Sequence, residues 1–252
     1  MAIVWRDKLL AFAVHFTVTA LLAAGAAALI FFVWYPDPFQ LMVRGRELFF
    51  LVVGCDMALG PLISFVIFNR NKSRRTLVLD YAIVAVVQIG ALVYGVYTVA
   101  ESRPAYVVFI KDRLEVVAAR DLSDSELAAA GDPQYRRIPL TGPRFVAVKV
   151  PATEQQKALF DSLAGLQESM RPRWYVEYAS MLPQIRERAQ ALSALENHHG
   201  EARAAIAAAK AQAGIPAERL RWLPVSTRRG FWTALIDSNS GMPVSYVELD
   251  PY

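Results

Sequence analysis

Cysteine appears once in this sequence, at Cys55, and histidine three times, at His15, His198 and His199. One cysteine excludes an intramolecular disulfide and the several thiols that a disulfide-exchanging oxidoreductase uses. Lying inside an apolar run, Cys55 reads as a small packing residue. The adjacent His198 and His199 have Glu196 beside them, but neighbouring side chains diverge and no other histidine lies in the C-terminal half. A metal centre needs converging ligands, so this pair reads as a solvated loop that ends a helix. Neither a Gly-x-Ser-x-Gly elbow nor a Walker A loop occurs, which removes the usual serine-hydrolase and nucleoside-triphosphatase signatures. No catalytic residue, cofactor or metal is therefore expected, and the chain reads as a non-enzyme.

What the sequence has in abundance is apolar length. Residues 9–34, 47–68 and 77–99 are three hydrophobic stretches in a row, each long enough to match the ~20 residues that cross a bilayer core. Lipid offers no partner to backbone N–H and C=O groups, so such stretches cross as helices. The expected architecture is an α-helical membrane protein: a three-helix transmembrane region over 1–102, then an extracytoplasmic domain over 103–252. A cleavable signal peptide competes for the first stretch. Its apolar run is longer than an h-region of ~7–15 residues and ends on Trp34-Tyr35-Pro36 rather than on a processing site.

The net charge is +4, and its placement sets orientation. Arg6 and Lys8 precede the first stretch, while Arg70, Lys72, Arg74 and Arg75 fill the short loop between the second and third. The opposite loop has Arg44 and Arg46, offset by Asp37 and followed by Glu47. Positive residues favour the cytoplasm, which puts the N-terminus inside and the tail outside, in the periplasm of the inner membrane if the host is a Gram-negative bacterium. Trp5, Trp34, Tyr35, Tyr94 and Tyr97 fit aromatic belts. The expected partners include the lipid bilayer and exclude nucleic acid.

Each stretch has a small or polar stripe at helical spacing: His15, Thr19, Ala23 and Ala26; Asp56, Gly60 and Ser64; Asp80, Val84, Gln88, Ala91 and Gly95. Small residues let helices approach, and polar ones bond across the contact. Counting from the boundaries places Asp56 level with Gln88, and His15 level with Asp80, as two expected pairs. Pro61 removes one helical hydrogen bond and predicts a kink. The Gly60-Pro61 face is then either a packing seam or a docking groove.

These residues also carry a resemblance. Trp34-Tyr35-Pro36, Asp56-Met57-Ala58-Leu59-Gly60-Pro61, Phe68, Asp80, Gln88 and Tyr94-Gly95 occur in that order. They are followed by Arg103-Pro104, Val107-Val108-Phe109 and Asp112-Arg113. Together with His15 they resemble the TfpX/TfpZ family of type IV pilin accessory proteins over residues 10 to about 118. Further points of likeness are Trp222-Leu223-Pro224 and Leu249-Asp250-Pro251. The resemblance implies a role in assembling and displaying a major type IV pilin, with that pilin and the pilus assembly machinery as partners. It brings no catalytic residues.

Downstream, 105–111 and 113–119 read as strands with Asp112 at the break. Helices are expected near 124–130 and 154–170, with a strand at 144–150 between them. Ser123/Glu126 and Thr153/Gln156 have capping-box spacing. Further helices are expected near 175–195 and 200–213, then strands at 221–226, 231–237 and 243–249. Ser238-Asn239-Ser240-Gly241 turns between the last two. Strands at both ends with helices between predict an α+β domain with one antiparallel sheet. Arg103, Pro104, Asp112 and Arg113 are candidate interface residues. The leading expectation is a membrane chaperone or escort for pilin; the alternative is an enzyme modifying pilin or a lipid-linked substrate, using Asp37, Arg44, Arg46 and Arg103. A transporter ranks third, because no relay of buried charges crosses the bilayer.

Overall fold

The computed structural model describes every residue except Met1, Arg44 and 68–71; the side chains of 2–4, 45–46, 48, 51–52, 55–56 and 67 are also outside the description. The chain divides into two compact units, Met1–Ser102 and Arg103–Tyr252.

The first unit is helical. Helix α1 spans Ala2–Ala28 and continues as a π-helical turn over Leu29–Trp34, closed by the Tyr35 N–H donating to the Ile30 carbonyl at 2.8 Å. A short α2, Phe39–Met42, leads into α3, Gly45–Ile67, and then α4, Arg74–Ser102. Among the described residues two helices, Trp5–Trp34 and Arg74–Ser102, are long and apolar enough to cross a membrane. In α3 the apolar stretch among the described residues is Met57–Val66. Helix α3 runs through Pro61 without interruption. Both α1 and α4 pack along α3 rather than along each other.

One end of this unit closes around Ile30, Tyr35, Phe49 and Val99, with Ala26, Phe31 and Trp34 against them. Tyr35 is fully buried and donates its hydroxyl to the Val99 carbonyl at 2.7 Å. It therefore ties the end of the α1 rod to α4 and is not a lipid-facing belt residue. Trp5, Tyr94 and Tyr97 do face outward.

The second unit is built on an eight-stranded sheet. Strands β1 (Pro104–Ile110) and β2 (Arg113–Ala118) form a tight hairpin, with Lys111 at a φ of 54° in the turn. Strand β3, Arg144–Val148, lies parallel to β1, and β4, Tyr175–Glu177, pairs antiparallel with β3. Strand β5, Gln190–Ala191, pairs with β6, Leu220–Thr227. On the other flank β6 runs parallel to β2, followed by β7, Gly230–Asp237, and β8, Pro243–Val247, as an antiparallel meander. The order is β4-β3-β1-β2-β6-β7-β8. The sheet is thus mixed, not antiparallel. Long helical connections return β3 and β6 alongside the hairpin in the direction of their neighbours.

Helices α5 (Asp124–Ala128), α6 (Gln155–Leu163), α7 (Leu182–Arg188), α8 (Leu192–His198) and α9 (Arg203–Ala213) complete the unit. Ser123 caps α5 through the Glu126 N–H. The helix expected over 154–170 stops at Leu163, where Gly165 takes a φ of 95°. The helix expected over 175–195 is instead broken into β4, a 3-10 turn over Tyr178–Met181, α7, β5 and the start of α8. Tyr175 and Val176 favour the extended backbone of β4, and Pro183 suits the first turn of a helix, where α7 places it. Two cores cover the sheet, one around Tyr106, Tyr135, Trp174 and Tyr175, the other around Leu195, Ile206, Trp222 and Leu235.

Candidate functional site: a polar cluster within the helical unit

Three helices meet at His15. Its Nδ1 lies 2.5 Å from Ser64 Oγ on α3, and its Nε2 lies 2.7 Å from Gln88 Oε1 on α4. A carboxamide oxygen only accepts, so Nε2 carries a proton, while the Ser64 hydroxyl can either donate to Nδ1 or accept from it. The two contacts fix the orientation of the imidazole ring between α3 and α4. The Tyr81 hydroxyl is buried next to Ser64. Gly60 makes the meeting possible: a Cβ there would fall 1.9 Å from Gln88 Nε2 and 3.0 Å from His15 Nε2. Gly60 is therefore a packing seam inside this unit, and Pro61 is buried beside it.

The pairing differs from the expected one. His15 bonds Gln88 and Ser64, while Asp80 sits toward the start of α4 and pairs with Lys72 at 2.7 Å. The Asp56 side chain lies outside the described residues, as do those of Arg44 and Arg46. Gly95 is buried on α4. The Ser64–His15 contact has the distance of a nucleophile and its base. However, Ser64 is 0% exposed, so a substrate carbonyl has no approach to its Oγ, and the arrangement acts as a three-helix clasp.

Because α1 and α4 do not pack together, a groove of about 680 Å³ opens between them. Val14, Val18 and Leu22 of α1 and Ala85, Ile89 and Leu92 of α4 form its walls, with His15 and Gln88 part-way along.

Of the candidate interface residues in the sheet unit, Arg103 and Pro104 are buried, Arg113 is half-buried and Asp112 is exposed. Arg103 is buried and donates from Nη2 to the Pro139 carbonyl at 3.0 Å. Pro104 opens β1. Arg113 donates from Nε to Asp112 at 2.9 Å, and its guanidinium lies 5.8 Å from the Tyr252 ring centre. The hydrogen bond to Asp112 raises the Arg113 pKa further.

A buried ion network was missed by the sequence reading. Arg171 reaches Asp161 at 2.6 Å and Glu126 at 3.3 Å, and Arg173 reaches Glu126 at 2.7 Å. The Arg171 guanidinium stacks 4.1 Å from the Trp174 ring centre. The available signal was the string Arg171-Pro172-Arg173-Trp174, two fixed cations beside an aromatic face. Among the described residues no cluster of three His, Cys, Asp or Glu could hold a metal ion.

Long apolar helices clasped by a polar cluster are consistent with membrane association, and the mixed-sheet unit that follows is a separate compact body. The family profile described as Fimbrial assembly protein FimB matches residues 3–44. Two proteins of Dichelobacter nodosus, the fimbrial assembly proteins of serogroup I and serogroup E1, are 32% and 31% identical over 243 residues. Each alignment spans 95% of this chain and 94% of the relative. The fimbrial assembly protein of serogroups C1 and C2 is 37% identical over 117 residues, 46% of this chain and 89% of its own. No solved structure matches. The chain belongs to the fimbrial assembly protein family.

Proposed function

We propose that this protein is a non-enzymatic accessory factor of the TfpX/TfpZ type, residing in the bacterial inner membrane and promoting the stability, assembly or surface display of a type IV pilin. Three helices cross the bilayer, the N-terminus is cytoplasmic, and the sheet unit lies in the periplasm. The single observation that carries the reading is full-length similarity: relatives named for fimbrial assembly align across both units.

The division of labour follows from the two units. A pilin helix held in lipid meets the helical unit, and the groove between α1 and α4 offers it an apolar seat with polar groups at His15 and Gln88. The pilin head meets the sheet unit, where α6 exposes Leu159, Phe160 and Leu163. An apolar surface of this kind suits protein contact. The test is deletion of the gene in its host with plasmid complementation, comparing sheared surface pilin with total pilin. Lost surface pili with retained membrane pilin supports assembly, and lost pilin supports stabilisation. Unchanged pili removes the pilin reading.

A further inference from the structure

The segment Arg136–Arg144 contains three arginines and no acidic residue. Arg137 and Arg144 are exposed, and Leu140 between them is 79% exposed. The segment is nevertheless held down. The Tyr106 hydroxyl donates to the Arg137 carbonyl at 3.3 Å, Arg136 Nε donates to the Ala130 carbonyl at 3.0 Å, and Ile138 packs on the core. The presentation of a bare leucine between two free-standing cations is thus built into the fold.

Its position follows from covalent connectivity. Arg103 directly follows Ser102, the last residue of α4, and the Arg103 side chain holds the Pro139 carbonyl, the residue before Leu140. The register agrees: Arg144 opens β3 opposite Tyr106, two residues after β1 begins at Pro104. The segment therefore lies at the end of the sheet where the chain leaves α4. The turn at Ser238-Asn239-Ser240 lies at the opposite end, since Leu114 pairs with Val225 and Leu220 with Asp237.

We infer that Arg136–Arg144 is a membrane-surface anchor, with Leu140 inserted among lipid headgroups and Arg137 and Arg144 binding anionic phospholipid. The inference rests on α4 crossing the bilayer, as proposed above. Basic residues next to a membrane exit are drawn to anionic headgroups within a Debye length, and an apolar side chain between them enters the interface.

The experiment uses full-length protein carrying Cys55→Ala in nanodiscs with phosphatidylglycerol and spin-labelled lipid. Single cysteines at Leu140, Asn239 or Tyr94 are labelled with an environment-sensitive fluorophore. Tyr94, exposed on α4, reports whether that helix is in lipid, and Asn239 reports the far end of the sheet. The expected result is strong quenching at 94, quenching at 140 at least about twofold that at 239, and loss of that excess in neutral lipid or with Arg137→Gln and Arg144→Gln. Quenching at 94 with 140 no different from 239 overturns the anchor and leaves the membrane reading standing. No quenching at 94 overturns both. An excess at 140 that survives neutral lipid and both substitutions overturns the anionic-lipid assignment.

Discussion

A methyl group on Gly60 would fall 1.9 Å from the Gln88 amide nitrogen, and that amide is also the group that holds His15. Gly60→Ala therefore forces Gln88 to surrender either its own rotamer or its bond to the imidazole. Overpacking of this kind costs ~1–3 kcal/mol, and interhelical hydrogen bonds within a bilayer contribute ~0.6–2 kcal/mol. The expected outcome is that Gly60→Ala destabilises by about 2 kcal/mol with Gln88 present and by clearly less in a Gln88→Ala background. Unfolding by sodium dodecyl sulfate in mixed micelles measures the cycle; coupling of at least ~0.5 kcal/mol is expected of residues in contact. Additive effects would mean that Gly60 and Gln88 do not meet. In the sheet unit, Arg171 is 3% exposed at its side chain and serves both Asp161 and Glu126. Arg171→Met takes this partner from the part-exposed Asp161 and leaves the buried Glu126 with Arg173 alone, so the cost falls short of the ~3–5 kcal/mol of a buried charge left wholly unpaired. Urea titration of the full-length protein in micelles, followed by tryptophan fluorescence, should show this loss. An effect below about 1 kcal/mol would place the weight on Arg173 instead.

At the scale of elements, the turn between β7 and β8 is organised around Asp237. Burial alone would raise its pKa, but Arg219 at 2.7 and 3.1 Å, the Asn239 N–H at 3.1 Å and the Ser240 hydroxyl at 3.1 Å outweigh it and hold the carboxyl below the usual range. A depressed folded-state pKa stabilises fully above the unfolded value of ~3.9 and is lost as pH falls through the lower, folded one. Acid titration of stability should therefore steepen from about pH 4 downward, and Asp237→Asn should flatten that slope while weakening the protein at neutral pH. A slope unchanged by the substitution would remove Asp237 as its source. This turn was legible in Ser238-Asn239-Ser240-Gly241, because turn chemistry is local. The hairpin at Lys111-Asp112 was legible for the same reason. The pairing of β3 with β1 was not, since parallel register depends on long connections rather than on neighbouring residues. Nor was His15's partner. Depth was counted from a span starting at residue 9, whereas α1 opens at Ala2. His15 then stands about three and a half turns inside the helix, level with Gln88 rather than with Asp80. The polar stripe was visible in the sequence; its vertical offset was not, because charged and amphipathic residues such as Arg6, Asp7 and Lys8 belong to the same continuous helix.

For the whole molecule, everything proposed about the sheet unit depends on parity. If α1 and α4 cross and α3 does not, Arg103–Tyr252 lies on the same side as the N-terminus; if α3 crosses too, it lies on the opposite side. Helix α3, at 23 residues, is roughly 34 Å long at 1.5 Å per residue, enough for a core of about 30 Å. Charge favours three crossings, since Arg6 and Lys8 flank one end of α1 while Lys72, Arg74 and Arg75 gather before α4, and basic loops stay in the cytoplasm. Paired reporters read this directly: alkaline phosphatase is active only outside the cytoplasm, and green fluorescent protein matures only within it. Three crossings predict phosphatase activity for fusions after residues 38 and 252 and fluorescence for a fusion after residue 73. Should 38 and 73 report the same side, α3 does not cross. The sheet unit would then face the cytoplasm, where neither a pilin head nor the outer leaflet could meet it, and the helical unit alone would carry the family's role. Replacing Arg74 and Arg75 with Glu gives the complementary check. It should weaken the cytoplasmic signal at 73 if those charges set the topology, and leave it unchanged if helix packing around His15, Ser64 and Gln88 does.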